Sequence, residues 1–285
     1  MHSRREFLAS ALALGLAALV PGRAARAQDA SFQALLQAAE QDLDALDATR
    51  EVREGLLSQR ASRAIAPNLK PSDRAVSEDA MQLIVLFEVT SQARYEQKFQ
   101  RPIWPHGESG ITVGVGYDAG YVDPAWLRSD WREYLSEHEL ALLVPACGLT
   151  GHKARDALAD FQALSIPWAK ANAQFRVRVL PRYVAQTLKS VPKAAGLSDD
   201  ALGALVSLVY NRGASFRKSG NRYKEMNEIY QLIQGGHPEG VPEQIRAMKR
   251  IWAGKPELRG LLTRRDLEAK LFEQGLRAGA PGATS

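Results

Sequence analysis

Glu78-Asp79-Ala80-Met81-Gln82-Leu83-Ile84-Val85-Leu86-Phe87-Glu88 and, further on, Gly110-Ile111-Thr112-Val113-Gly114-Val115-Gly116-Tyr117-Asp118 are the two stretches that decide how this chain is read. The first predicts a helix. Ser77 can cap it, and Glu78 and Asp79 in the first turn suit the positive end of the helix dipole. The second predicts a short hairpin or small sheet. Across residues 101–122, Gly107, Gly110, Gly114, Gly116 and Gly120 alternate with the β-favouring Ile111, Val113, Val115, Tyr117 and Tyr121.

Outward from these stretches the pattern is helical. Ser198-Asp199-Asp200 opens a helix from Ala201 to Tyr210 that is apolar on most faces and therefore central. Thr263 can cap a last helix, Arg264 to Gln274. Upstream, Phe32, Leu36, Ala39, Leu43 and Leu46 form a short amphipathic stripe within residues 31–60, which then meets Arg50 and Arg53. Pro67 and Pro71 end that stretch and mark a boundary. The expected organisation is a signal peptide at 1–27, a helical extension at 28–76, a main domain at 77–275 and a tail at 276–285. The expected fold class is mainly α with a small β insert.

The N-terminus carries Arg4 and Arg5, an apolar run from Ala9 to Val20, and Ala25-Arg26-Ala27 as a cleavage site. This is the plan of an export signal, and the arginine pair followed by Phe7-Leu8 resembles a twin-arginine signal. A periplasmic or secreted protein follows. The formal charge of +5 is concentrated there, since residues 1–27 hold four arginines against one glutamate. The remainder is nearly balanced, which argues against a nucleic-acid partner. Cys147 is the single cysteine, so no intramolecular disulfide can form. No metal-ligand cluster or cofactor motif stands out, and a monomer without metal or cofactor is expected.

Glu88 ends an apolar run, where loss of water favours the neutral carboxylic acid. A proton donor to a glycosidic oxygen needs that setting. Tyr95 would share its face if the helix continued. Glycines at alternate positions leave one strand face bare, so a sugar chain can approach the backbone. Thr112 and Asp118 stand at the two ends of that segment.

Glu88, Tyr95 and Thr112-Val113-Gly114-Val115-Gly116 resemble the active-site signature of phage-type lysozymes, glycoside hydrolase family 24. Ala204 to Gly213, ending Asn211-Arg212-Gly213, is similar to the family's central helix. Gly260-Leu261-Leu262-Thr263-Arg264-Arg265-Asp266-Leu267-Glu268 is similar to its closing motif. The resemblance spans about 78–275 and implies a lysozyme-like α+β fold. It also implies hydrolysis of the β-1,4 bond between N-acetylmuramic acid and N-acetylglucosamine in peptidoglycan. The segment between Glu88 and Thr112 is longer than usual for the family, with Trp104 to Glu108 filling it, and Tyr117 replaces the usual histidine. That spacing resembles the muramidase domain of pesticin.

The resemblance to pesticin implies Glu88, Thr112 and Asp118 as the catalytic set, with Glu108 as rival to Asp118. Tyr95, Gly114, Gly116, Tyr117 and Asn211 are the expected substrate-binding residues. Arg264 and Arg265, beside Asp266 and Glu268, are expected to form structural ion pairs. A lytic transglycosylase, which needs one acid only, and a non-enzymatic wall-binding protein are the competing functions.

Overall fold

The computed structural model describes residues 31–55 and 69–278. The expected signal peptide, Pro67 and the end of the expected tail lie outside the described residues. Two helices open the described chain, α1 (Phe32–Gln41) and α2 (Leu43–Gly55). They are followed by α3 (Glu78–Val89), α4 (Gln92–Lys98) and a hairpin of β1 (Thr112–Val113) and β2 (Tyr117–Asp118). Next come α5 (Pro124–Trp131), α6 (Glu137–Leu143), α7 (Gly151–Ala157) and α8 (Trp168–Gln174). A π-helical turn, Phe175–Val179, joins α8 to α9 (Leu180–Ser190). The chain closes with α10 (Asp199–Arg212), α11 (Lys224–Gly235), α12 (Val241–Ala247) and α13 (Arg259–Ala278). This is the mainly helical architecture with a small β insert that the sequence pattern predicts, and it is consistent with the lysozyme-like α+β fold that the resemblance implies.

The predicted caps form. Ser77 accepts from the Ala80 amide at 3.2 Å, and Ser198 from the Ala201 amide at 3.3 Å. Helix α10 is buried from Ala201 to Asn211 and packs along α13 and α3, so it is the core around which the rest is arranged. The last helix begins earlier than expected. It starts at Arg259, after a 3-10 turn at Pro256–Leu258, and Thr263 donates to the Arg259 carbonyl from inside it.

The extension is not one helix. Asp42 (φ −90°, ψ 65°) breaks it and then accepts from the Ala45 amide at 3.2 Å, capping α2. The break shifts the helical phase, so Leu43 is exposed while Phe32, Leu36, Ala39 and Leu46 are buried. Both helices pack against α13. At Gly260 a β-carbon would come within 2.5 Å of Thr49 Oγ1 and 2.9 Å of the Ala45 carbonyl oxygen. Only glycine permits that approach, and the Gly260 amide donates to Thr49 Oγ1 at 3.1 Å. The described residues from Ser31 on belong to one compact unit, so α1 and α2 are not a body separate from residues 77–275.

Candidate active site

Glu88 is the penultimate residue of α3, and its side chain is 6% exposed. Leu83, Ile84, Leu86 and Phe87 are buried around it, as the apolar run predicts. Apolar burial is only part of its surroundings. Arg264, entirely enclosed on α13, reaches the Glu88 carboxyl at 3.3 Å and the Glu268 carboxylate at 3.2 Å, and lies over the Phe87 ring. Arg265 completes the cluster with a 2.8 Å contact to Glu268. Burial lowers the Arg265 pKa to about 10, still far above neutrality, so its guanidinium stays charged. The ion pairs foreseen for these arginines form, and Arg264 carries them to Glu88.

The hairpin turns at Gly114-Val115-Gly116, whose glycines have φ of 59° and 72°. That geometry sets Thr112 opposite Asp118 and Val113 opposite Tyr117. The turn lies over Glu88. A β-carbon at Gly116 would be 3.1 Å from Glu88 Oε2 and 3.4 Å from the Tyr210 hydroxyl. Tyr210 pins the turn to the central helix by donating to the Val115 carbonyl at 2.9 Å. Glu88, Thr112, Gly114 and Gly116 thus line one cleft of about 330 Å³. Its other walls include Ile103, Trp104, Pro105 and His106 from the long segment before the hairpin.

Other expected site residues fall elsewhere. Tyr95 has no exposed surface, because α3 stops at Val89 and a new helix starts. Its hydroxyl donates to the Ile166 carbonyl at 2.8 Å. Tyr117 is buried with its hydroxyl on Asp130 at 3.0 Å; burial, reinforced by Asp130, drives its pKa well above the usual tyrosine value. Asn211 is buried and accepts from Arg265 at 3.2 Å. These three expected substrate contacts are instead core residues. The polar group of each has found an internal partner.

Asp118 accepts from the Gly110 amide at 3.1 Å and from the Gly120 amide at 3.0 Å, latching the base of the hairpin. It does not line the cleft, and neither does the exposed Glu108, whose carboxylate lies over Gly151.

Among the cleft-lining residues that were not foreseen are Asp47 and Arg50 of α2. Asp47 pairs with Arg50 at 2.7 Å, with Lys98 at 3.0 Å and with Arg94. Burial acts to raise the Asp47 pKa, but hydrogen bonds from Lys98 and Arg94 and the charge of Arg50 outweigh it and hold the carboxyl below 3.8. A depressed folded-state pKa contributes stability above the unfolded value and loses it as pH falls through the folded value. Asp47→Ala is therefore expected to lower the melting temperature by about 2–4 °C at pH 7. That difference should close as pH is taken below 3.8, which thermal melts across pH will check. The only sequence sign of this pair was Asp47 and Arg50 at helical i,i+3 spacing.

Residues 146–268 match the family model for phage lysozyme. The match supports the phage-type lysozyme family and implies a glycosidase of the lysozyme type acting on peptidoglycan. It covers α10 and the Arg264–Glu268 cluster and leaves Glu88, Thr112 and Asp118 outside. No curated protein matches the chain. Among the described residues, no helix is long and apolar enough to cross a membrane.

Proposed function

We propose that this protein is a muramidase that hydrolyses the β-1,4 bond between N-acetylmuramic acid and N-acetylglucosamine, with Glu88 as general acid. The observation that carries the reading is the gathering of the buried Glu88 carboxyl, Thr112 and the Gly114–Gly116 turn on one cleft. A glycosidic oxygen is a poor leaving group until protonated, and a water-poor cleft lets a positioned acid supply that proton. The bare glycine turn beside the acid leaves room for a pyranose ring against the backbone. Thr112 positions the attacking water in this reading. Asp118, directly across the hairpin from Thr112, serves as the second carboxylate in the pesticin-like arrangement. Inversion is the expected outcome, for which the two carboxyl groups stand about 6.5–9.5 Å apart when substrate is bound.

The placement of Asp118 among backbone amides, off the cleft wall, favours keeping a second reading. A lytic transglycosylase uses one acid, and its products end in 1,6-anhydro sugars. Digestion of peptidoglycan by the mature chain and by Glu88→Gln, followed by mass spectrometry, separates the two. Reducing muramic ends support hydrolysis, anhydro ends support the transglycosylase, and no products from the unaltered chain overturn both. Within the same assay, Asp118→Asn is expected to lose at least about 100-fold of activity and Glu108→Gln less than about tenfold. The reverse ranking assigns the second carboxylate to Glu108. Action in the periplasm or outside the cell follows from the substrate and from the twin-arginine-like residues 1–27.

A further inference from the structure

The turn that follows Glu88 is strained. Thr90, buried, has φ 71° and ψ −69°, and the Ser91 amide donates to the Val89 carbonyl at 3.0 Å across it. This is a γ-turn in its rare positive-φ form, at a β-branched residue for which such a conformation is a true outlier. Backbone of this kind persists only where neighbouring groups over-determine it.

The neighbour is Arg50 of α2. Its Nε donates to the Phe87 carbonyl at 3.3 Å, and its Nη2 to the Leu86 carbonyl at 3.1 Å and to Thr90 Oγ1. Its Nη1 donates to Asp47 at 2.7 Å, one turn back on its own helix, which fixes the fork in place. The Leu86 carbonyl also accepts from the Thr90 amide at 3.0 Å, and the last carbonyls of α3 carry the negative end of its dipole, so a guanidinium is favoured here. A planar fork spreads five fixed donors over three nitrogens and so holds two carbonyls, a hydroxyl and the Asp47 carboxylate at once, whereas an ammonium has three donors on a single nitrogen.

We infer that Arg50 is a positioning residue for the general acid: the N-terminal extension holds the strained turn at Thr90 and thereby aims the Glu88 carboxyl into the cleft. Arg264 grips the carboxyl itself from α13, whereas Arg50 grips the Leu86 and Phe87 carbonyls before it and the Thr90 hydroxyl after it. The inference rests on Glu88 being the acid. It makes α2, outside the stretch that resembles phage lysozymes, part of the active site.

The test is a double-mutant cycle on the full mature chain, with soluble uncrosslinked peptidoglycan fragments as substrate. Arg50→Ala is expected to lower kcat at least tenfold with KM within about twofold, because the acid and not the sugar contacts is displaced. Glycine adopts positive φ without the steric cost borne by threonine. In the Thr90→Gly background the same Arg50→Ala change is therefore expected to lower kcat less than threefold. A merely structural Arg50 would cost the same in both backgrounds. Arg50→Lys, which keeps the charge and the fold, is expected to lose at least threefold in kcat. Wild-type kcat in Arg50→Ala or Arg50→Lys, or an equal loss in both backgrounds, overturns the inference. Full activity in Glu88→Gln instead overturns the assignment of the acid, whatever Arg50 does.

Discussion

Glu88→Gln is expected to reduce peptidoglycan cleavage by at least about 1,000-fold, within the range measured for general acids. Glutamine keeps the size and planarity of the side chain, so the packing around Phe87 and the Gly116 turn is preserved. Its amide oxygen can still accept the 3.3 Å hydrogen bond from Arg264. What it cannot do is deliver a proton to the departing sugar oxygen. The loss should therefore appear in kcat, with a melting temperature within a few degrees of the unaltered protein. Release of soluble muropeptides from sacculi, measured beside a thermal melt, checks both halves of this expectation. Retention of more than a tenth of the activity in a folded variant would mean that another group supplies the proton.

Removal of residues 28–55 is expected to abolish both stable folding and activity. Phe32, Leu36 and Leu46 are buried against the rest of the molecule. At about 1.5–3 kcal/mol for each large side chain, their loss is of the order of the whole stability of a typical domain. The deletion would also uncover Gly260, leave the Arg94 and Lys98 cations without Asp47, and release the turn after Glu88 from Arg50. The sequence alone suggests the opposite, because Pro67 and Pro71 mark a natural boundary and the family resemblance begins only beyond them. Circular dichroism melting and a muralytic assay of the shortened chain decide the matter. A cooperative melt with full activity would show that α1 and α2 are dispensable and would also remove the basis for Arg50 as a positioning residue.

The role of Arg50 marks where sequence reasoning stops. Helix caps at Ser77 and Ser198, the burial of α10, and the hairpin between Gly110 and Gly120 were legible because each depends on residues a few positions apart. The glycines between 114 and 120 allowed the chain to turn, because glycine adopts positive φ freely, and the structure placed that turn at 114–116. Tyr95 was misplaced by a local event: α3 ends at the strained Thr90, so the helical phase that would have carried Tyr95 to the face of Glu88 is lost.

The sequence by itself determined that this chain is a mainly helical protein with one small hairpin, and that an acidic side chain ends an apolar helix ahead of a glycine-rich turn. Periodicity and capping suffice for that, because they act over one or two helical turns. Only the tertiary structure decided which groups meet in the cleft. Asp47 and Arg50 reach the cleft that Glu88 lines because α2 packs beside α3, and Arg264 reaches Glu88 because α13 crosses the core. Tyr117 and Asn211 turn inward because Asp130 and Arg265, distant in sequence, satisfy their polar tips there. The partner of a polar side chain is set by which elements pack together, and that is a property of the whole fold.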